Sequence, residues 1–184
     1  MKRLMDIALS LLALLALSPL LLLTAVAVAI ESGLPVVFVQ RRVGLGRREF
    51  GMFKFRSMVK NAAAIGPYYT DTDDPRITRV GRLIRRTSID ELPQLLNVLK
   101  GDMSLVGPRP DVPEQRTLYR DEEWALRCSV RPGITGLAQA VLRSEGSQEL
   151  RLGLDLRYVR EHSTWFDLRI LAMTVKRLSG KGSN

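Results

Sequence analysis

Two adjacent carboxylates, Asp90 and Glu91, stand at the start of a short segment, Thr87 to Gly101, that carries helix start and stop signals. Ser88 followed by Glu91 has the capping-box spacing, Pro93 is tolerable only near a first turn, and Gly101 closes the segment. At a helix N-terminus both acids would be held ionised, with their oxygens facing outward. Cations stand on other stiff supports. Lys54 and Arg56 fall on one face of a strand-like stretch with Phe53 and Phe55 on the other, and Arg109 lies in the rigid turn Gly107-Pro-Arg-Pro110. A carboxylate pair, several fixed cations and a positioned nucleophile are what phosphoryl transfer at a diphosphate requires, with a hard divalent cation held by the carboxylates. No histidine is needed, because an Asp carboxylate can attack phosphorus itself. Each feature also has a plain structural reading: two first-turn acids that stabilise a helix, and a solvated hairpin face.

The elements that must hold these groups follow from composition and pattern. At 184 residues the chain suits one catalytic unit. Its net charge of +9 attracts polyanions, whether nucleic acid, acidic lipid or phosphorylated substrate. Cys128 is the only cysteine and excludes an internal disulfide; His162 is the only histidine, with no nucleophile motif beside it, and reads as a helix-end surface residue. From Ile7 to Ile30 the chain is almost wholly apolar and long enough for a membrane. A cleaved signal or a spanning anchor would fit that length. However, Ser18-Pro19 interrupts the run, and basic residues flank both sides, Lys2 and Arg3 before it and Arg41, Arg42, Arg47 and Arg48 after it. Proline removes a helical hydrogen bond, the Ser18 hydroxyl can satisfy the freed carbonyl, and positive charge on both flanks argues that neither crossed. The expectation is a re-entrant helix-break-helix over residues 1–33, with residues 34–184 as a cytoplasmic catalytic domain. Pro19→Ala is expected to straighten this segment toward a spanning form.

In the remainder, Val36 to Gln40 and Phe50 to Met58 predict a small β-hairpin with a long Gly- and Arg-rich turn. Residues Asn61 to Pro75 read as a loop or short helix with Gly66-Pro67 and an acidic cluster, Asp71, Asp73 and Asp74, that resembles a metal site only loosely. Ile77 to Arg86 predicts a basic amphipathic helix with Arg79, Arg82 and Arg86 on one stripe. Arg131-Pro-Gly-Ile-Thr-Gly136 reads as a second stiff loop. Helices are predicted at about Gln148 to Glu161 and Thr164 to Leu178, the latter apolar enough for a membrane interface or a core. No P-loop or dinucleotide fingerprint is present. The fold class is α+β, mainly helical, with amphipathic interfacial helices.

Taken in order, Lys54-Phe-Arg-Ser-Met58, Arg79 to Arg86, Thr87-Ser-Ile-Asp-Glu-Leu-Pro-Gln94, Asn97 to Asp102, Gly107-Pro-Arg-Pro110 and Arg131 to Gly136 resemble the small monotopic phosphoglycosyl transferases, the bacterial sugar transferase family. The resemblance implies a ping-pong transfer of a sugar 1-phosphate from a UDP-sugar to undecaprenyl phosphate, the first membrane step of glycoconjugate and polysaccharide assembly. In it Asp90 would carry the phosphosugar covalently as UMP leaves. It further implies that Asp90 and Glu91 form the catalytic dyad with Mg²⁺ and that Arg109 contacts phosphate. Lys54, Arg56 and Arg85 would stabilise charge, and Ser18-Pro19 would be the break of a re-entrant anchor. The implied place is the cytoplasmic face of the bacterial inner membrane, against phospholipid, with downstream glycosyltransferases as partners. Starting at the anchor, the chain resembles the minimal catalytic form. Two other readings compete: a basic membrane-attached module that binds anionic lipid or a partner enzyme without chemistry, and nucleic-acid binding, which no recognised motif supports.

Overall fold

The structure is a computed structural model that describes residues 1–62, 64–66, 74–142 and 146–178. Pro67, Asp71 and Asp73 of the expected loop lie outside them. The described residues are mainly helical, with seven α-helices and two small two-stranded sheets among them.

The apolar run forms one helix, α1, Lys2–Ser32, which passes through Pro19 as a single element. The expected division into two helices is therefore not seen. One cause is local: Pro19 has no N–H for the Leu15 carbonyl, and the Ser18 hydroxyl donates to that carbonyl at 2.9 Å instead. Its outward face is leucine-rich; Leu4, Leu12, Leu15, Leu22 and Leu23 are exposed. The inward stripe is polar or small, with Asp6, Ser10, Thr24 and Val28 buried at helical spacing.

Both ends of α1 are tied to the rest of the chain. At the first end Lys2 Nζ donates to Asp167 at 2.5 Å and to the Val106 carbonyl at 3.1 Å. Arg3 donates to the Val98 and Leu99 carbonyls, and the buried Asp6 accepts from Ser104 Oγ at 2.9 Å. At the other end Glu31 accepts from the N–H groups of Arg79 and Val80 at 2.8 and 3.0 Å. Those two donors open α2, Arg79–Arg86, whose N-cap Thr78 takes the N–H of Gly81. The first turn of α2 is thus satisfied by a threonine from its own chain segment and a carboxylate from α1.

The predicted hairpin is present as β1, Val37–Val43, antiparallel to β2, Glu49–Phe55. The strands run further into the arginines than expected, and the turn shrinks to a 3₁₀ segment, Leu45–Arg47, with Gly46 and Arg47 at positive φ. Behind β2 lies α3, Gln94–Lys100. Asn97 of α3 is fully buried and completes the outer edge of β2: its Oδ1 accepts from the Phe53 N–H at 2.9 Å and its Nδ2 donates to the Gly51 carbonyl at 2.8 Å.

Between α3 and the last two helices the chain forms elements the sequence reading did not anticipate. These are β3, Ser104–Val106; a 3₁₀ segment, Pro113–Leu118; α4, Asp121–Arg127; β4, Gly133–Thr135; and α5, Leu137–Val141. The stretch Arg131 to Gly136, expected to be a loop, contains β4, which pairs in parallel with β3. The expected helices α6, Gln148–Glu161, and α7, Thr164–Leu178, are both present, and His162 is the exposed C-cap of α6. The main core joins Met52, Val98, Met103, Val106, Tyr158 and Ile170. A second cluster, Val28, Phe55 and Ile84, fastens α1 to β2 and α2.

Candidate active site

The capping box expected at Ser88 does not form. Ser88 adopts a left-handed conformation, φ 57°, and its side chain makes no cap. The following residues, Ile89–Glu91, are a 3₁₀ turn, and the α-helix begins only at Gln94. The reason lies outside the segment: Glu91 turns away from Ser88 toward two cations that sequence separates by 55 residues. Glu91 Oε1 accepts from Lys54 Nζ at 2.9 Å and from Arg109 Nη2 at 2.7 Å.

Asp90 and Glu91 consequently have opposed environments. Asp90 is 8% exposed, and no described residue donates a hydrogen bond to its carboxylate. Burial, with the neighbouring Glu91 charge added, raises its pKa to about 6, although Lys54, Arg85 and Arg109 oppose the rise. The expectation that a helix start would hold both acids readily ionised is corrected for Asp90. Glu91 follows the other course. Burial would raise it, but Arg109 and Lys54 outweigh burial and hold it well below the usual carboxylate range. Two neighbouring carboxyls with separated pKa values are a recurrent sign of chemistry.

Lys54, Arg56, Arg85, Asp90, Glu91 and Arg109 all line one open cavity of about 1370 Å³. The six side chains singled out from sequence thus share a single space. They are not equivalent within it. Lys54 and Arg109 hold Glu91; Arg85 acts on Asp90 by charge; Arg56 is turned to the end of α1, where its Nη2 donates to the Ser32 carbonyl at 2.7 Å and also to that of Gly33. Asp74, from the loosely metal-like cluster, is bound by Arg76 at 2.6 Å.

Among the described residues no cluster of three or more His, Cys, Asp or Glu could hold a metal. Two carboxylates with an incoming diphosphate and water are nonetheless the usual donors of Mg²⁺. The pair suits that role: Asp90 has no hydrogen-bonded partner among the described residues, and Glu91 Oε2 has only a 3.5 Å contact with Arg109.

Sequence reasoning missed the groups that hold the Arg109 turn. Arg42 stood among the flanking arginines of the apolar run, and Asp111, Arg127 and Asp155 carried no motif at all. Arg42 Nη1 donates to the Pro110 carbonyl at 2.8 Å, and Arg127 Nη2 to the Arg109 carbonyl at 2.5 Å. Burial lowers the Arg42 guanidinium to about 10, with the charge of Arg109 acting in the same direction.

The model of the bacterial sugar transferase family matches residues 1–181. The undecaprenyl-phosphate glucose phosphotransferase of Komagataeibacter xylinus is 48% identical over 187 residues, covering 96% of this chain and 35% of that protein. The UDP-N-acetylgalactosamine-undecaprenyl-phosphate N-acetylgalactosaminephosphotransferase of Aeromonas hydrophila is 44% identical, covering 99% of this chain and 44% of that protein. An uncharacterized sugar transferase of Bacillus subtilis, EpsL, is 44% identical, covering 97% of this chain and 87% of that protein. The chain spans less than half the length of the first two relatives.

Proposed function

Because the chain belongs to the bacterial sugar transferase family, we propose that it transfers a sugar 1-phosphate from a UDP-sugar to undecaprenyl phosphate through a covalent aspartyl intermediate. The observation that carries this reading is the buried, unbonded carboxylate of Asp90 beside Glu91 on a basic cavity. An Asp90 oxygen attacks the sugar-linked phosphorus, the P–O bond to UMP breaks, and the phosphosugar remains on Asp90 as an acyl phosphate. An oxygen of undecaprenyl phosphate then attacks the same phosphorus, Asp90 leaves as a carboxylate, and the product is a sugar-diphospholipid. Arg109 and Lys54 are placed to take up the negative charge on the phosphoryl oxygens, and Arg85 favours the ionised form of Asp90. Arg56 lines the same cavity and also holds the end of α1, which links the donor site to the membrane element. Mg²⁺ bound at Asp90 and Glu91 would neutralise diphosphate charge.

The docking of α1 supports a monotopic attachment, with residues 1–33 as anchor and 34–184 as catalytic part. A helix of 31 residues is about 46 Å long, more than a hydrocarbon core of about 30 Å. A spanning orientation would carry the bonds of Lys2 and Asp6 to one side of the bilayer and those of Glu31 to the other, although one body makes both sets. With α1 lying along that body, its leucine face enters one leaflet at the cytoplasmic surface, where lipid phosphate and soluble nucleotide-sugar meet. A non-catalytic binding module would have no use for an acid held at about pKa 6 in a cavity.

The test is to mix purified protein with Mg²⁺ and a panel of UDP-sugars, without lipid acceptor, and to weigh the intact chain. A phosphosugar adduct on the native chain that is absent in Asp90→Asn is expected. UMP release that needs the lipid acceptor, with no adduct from any donor, would replace the covalent route by direct transfer.

A further inference from the structure

We propose that Arg127, which does not itself line the cavity, is a positioning residue for Arg109, acting through the Arg109 main chain. The proposal rests on the reading of Arg109 as a contact for donor phosphate. The turn that carries Arg109 is bonded at four successive carbonyls from outside. Pro108 accepts from the Gly133 N–H at 2.9 Å, Arg109 from Arg127 Nη2 at 2.5 Å, Pro110 from Arg42 Nη1 at 2.8 Å, and Asp111 from the Val43 N–H at 2.9 Å. The two prolines offer no N–H of their own, so these carbonyl bonds decide how the turn sits.

Arg127 supplies the one bond in this set that acts on Arg109 itself, and its own direction is strongly fixed. Its side chain is 6% exposed. Nε donates to Asp155 Oδ2 at 3.0 Å, Nη1 donates to Asp111 Oδ2, and the guanidinium lies 5.4 Å from the Tyr119 ring. Asp111 belongs to the turn, so Arg127 grips it twice, by the Arg109 carbonyl and by the next side chain. Asp155 comes from α6 and anchors the fork to the main body. A planar guanidinium makes these three bonds at once, whereas an ammonium cannot reproduce the fork. The Arg109 side chain, 44% open to solvent, is met at its tip by Glu91 and takes the position of its base from the turn. Small misplacements of a charge-stabilising group cost large factors in rate.

A double-mutant cycle separates positioning from mere stability. Arg127→Lys, Arg109→Ala and the double variant of the full chain are compared for UDP affinity in Mg²⁺ by titration calorimetry, with melting temperatures taken alongside. Arg127→Lys is expected to weaken UDP binding roughly tenfold in the native background and less than about twofold in the Arg109→Ala background. Equal losses in both backgrounds would overturn the proposal while leaving Arg109 as a phosphate contact. An unchanged affinity in Arg109→Ala would overturn that contact and the proposal with it. Should Arg127→Lys fail to fold, Asp155→Asn enters the same cycle, because it removes one carboxylate from Arg127 and touches nothing in the cavity. It is expected to show a smaller loss with the same dependence on Arg109.

Discussion

Asp90 and Glu91 are chain neighbours with different surroundings, and the difference has a thermodynamic consequence. The carboxyl of Asp90 rises from an ordinary value of 3.8 to about 6 on folding, chiefly through burial. Between those values the folded chain binds more protons than the unfolded one, so this residue's contribution makes stability fall as pH rises from about 4 to about 6. Above that window the full cost stands, on the order of 2–3 kcal/mol. Asp90→Asn removes it. The variant should therefore melt several degrees above the native chain at pH 7.5 and show no such gain near pH 4, as followed by circular dichroism in detergent. A gain of the same size at both pH values would mean that charge burial is not the cause. The identity of this acid pair, and of Lys54 and Arg109, was legible in the sequence. Their pairing was not, because Glu91 chooses Lys54 and Arg109 over Ser88 only once distant segments meet.

At the scale of elements, the site depends on close backbone approach between β3 and β4 and the turn that follows β3. A Cβ on Gly133 would lie 2.1 Å from the Gly107 nitrogen and 2.3 Å from the Thr135 carbonyl oxygen, so the strands would have to part. Gly133→Ala should cost about 1–3 kcal/mol or more and remove donor turnover, since the same movement releases the Arg109 turn. Gly153→Ala is the matched control. It sits in α6 with nothing near its added carbon, and it should raise the melting temperature slightly, by up to about 1 kcal/mol in stability, with turnover unchanged. Equal effects at the two positions would refute the packing argument. Helices α6 and α7 were readable from the sequence pattern, and the end of α3 from Gly101. The β3 and β4 strands were not, because three-residue strands with a distant parallel partner leave no period in the sequence.

At the scale of the whole molecule, α1 is held to the body by polar contacts at its two ends and by the packing of Ala13, Leu14, Leu21 and Val28 between them, and it presents leucines on its other face. The Leu15 carbonyl is already taken by Ser18, and the two ends of α1 are fixed by Lys2, Arg3 and Asp6 and by Glu31. On the monotopic reading proposed above, these attachments rather than Pro19 keep α1 on one face, an alternative to the expectation that removing the proline would send the helix across. Pro19→Ala should leave both ends on one face. A cysteine inserted after Met1, ahead of α1, and, separately, Lys60→Cys, each in a Cys128→Ser background, should remain inaccessible to an impermeant thiol reagent in spheroplasts and become reactive on permeabilisation. Labelling of the N-terminal cysteine from outside would show that the proline was needed.

The sequence by itself determined the helical character, the apolar run of membrane length, the carboxylate pair and the stiff turn that bears Arg109. All of these follow from properties of neighbouring residues: side-chain period, proline sterics and hydropathy. Only the tertiary structure decided which charges meet, which acid is desolvated, and that Asp6 and Glu31 bind α1 to the body at both ends. It likewise decided that Arg42, Arg127, Asp111 and Asp155 surround one turn. Ion pairing and desolvation act over a few ångströms of space, and here the partners are brought together from positions 42 to 155, a separation that no local pattern encodes.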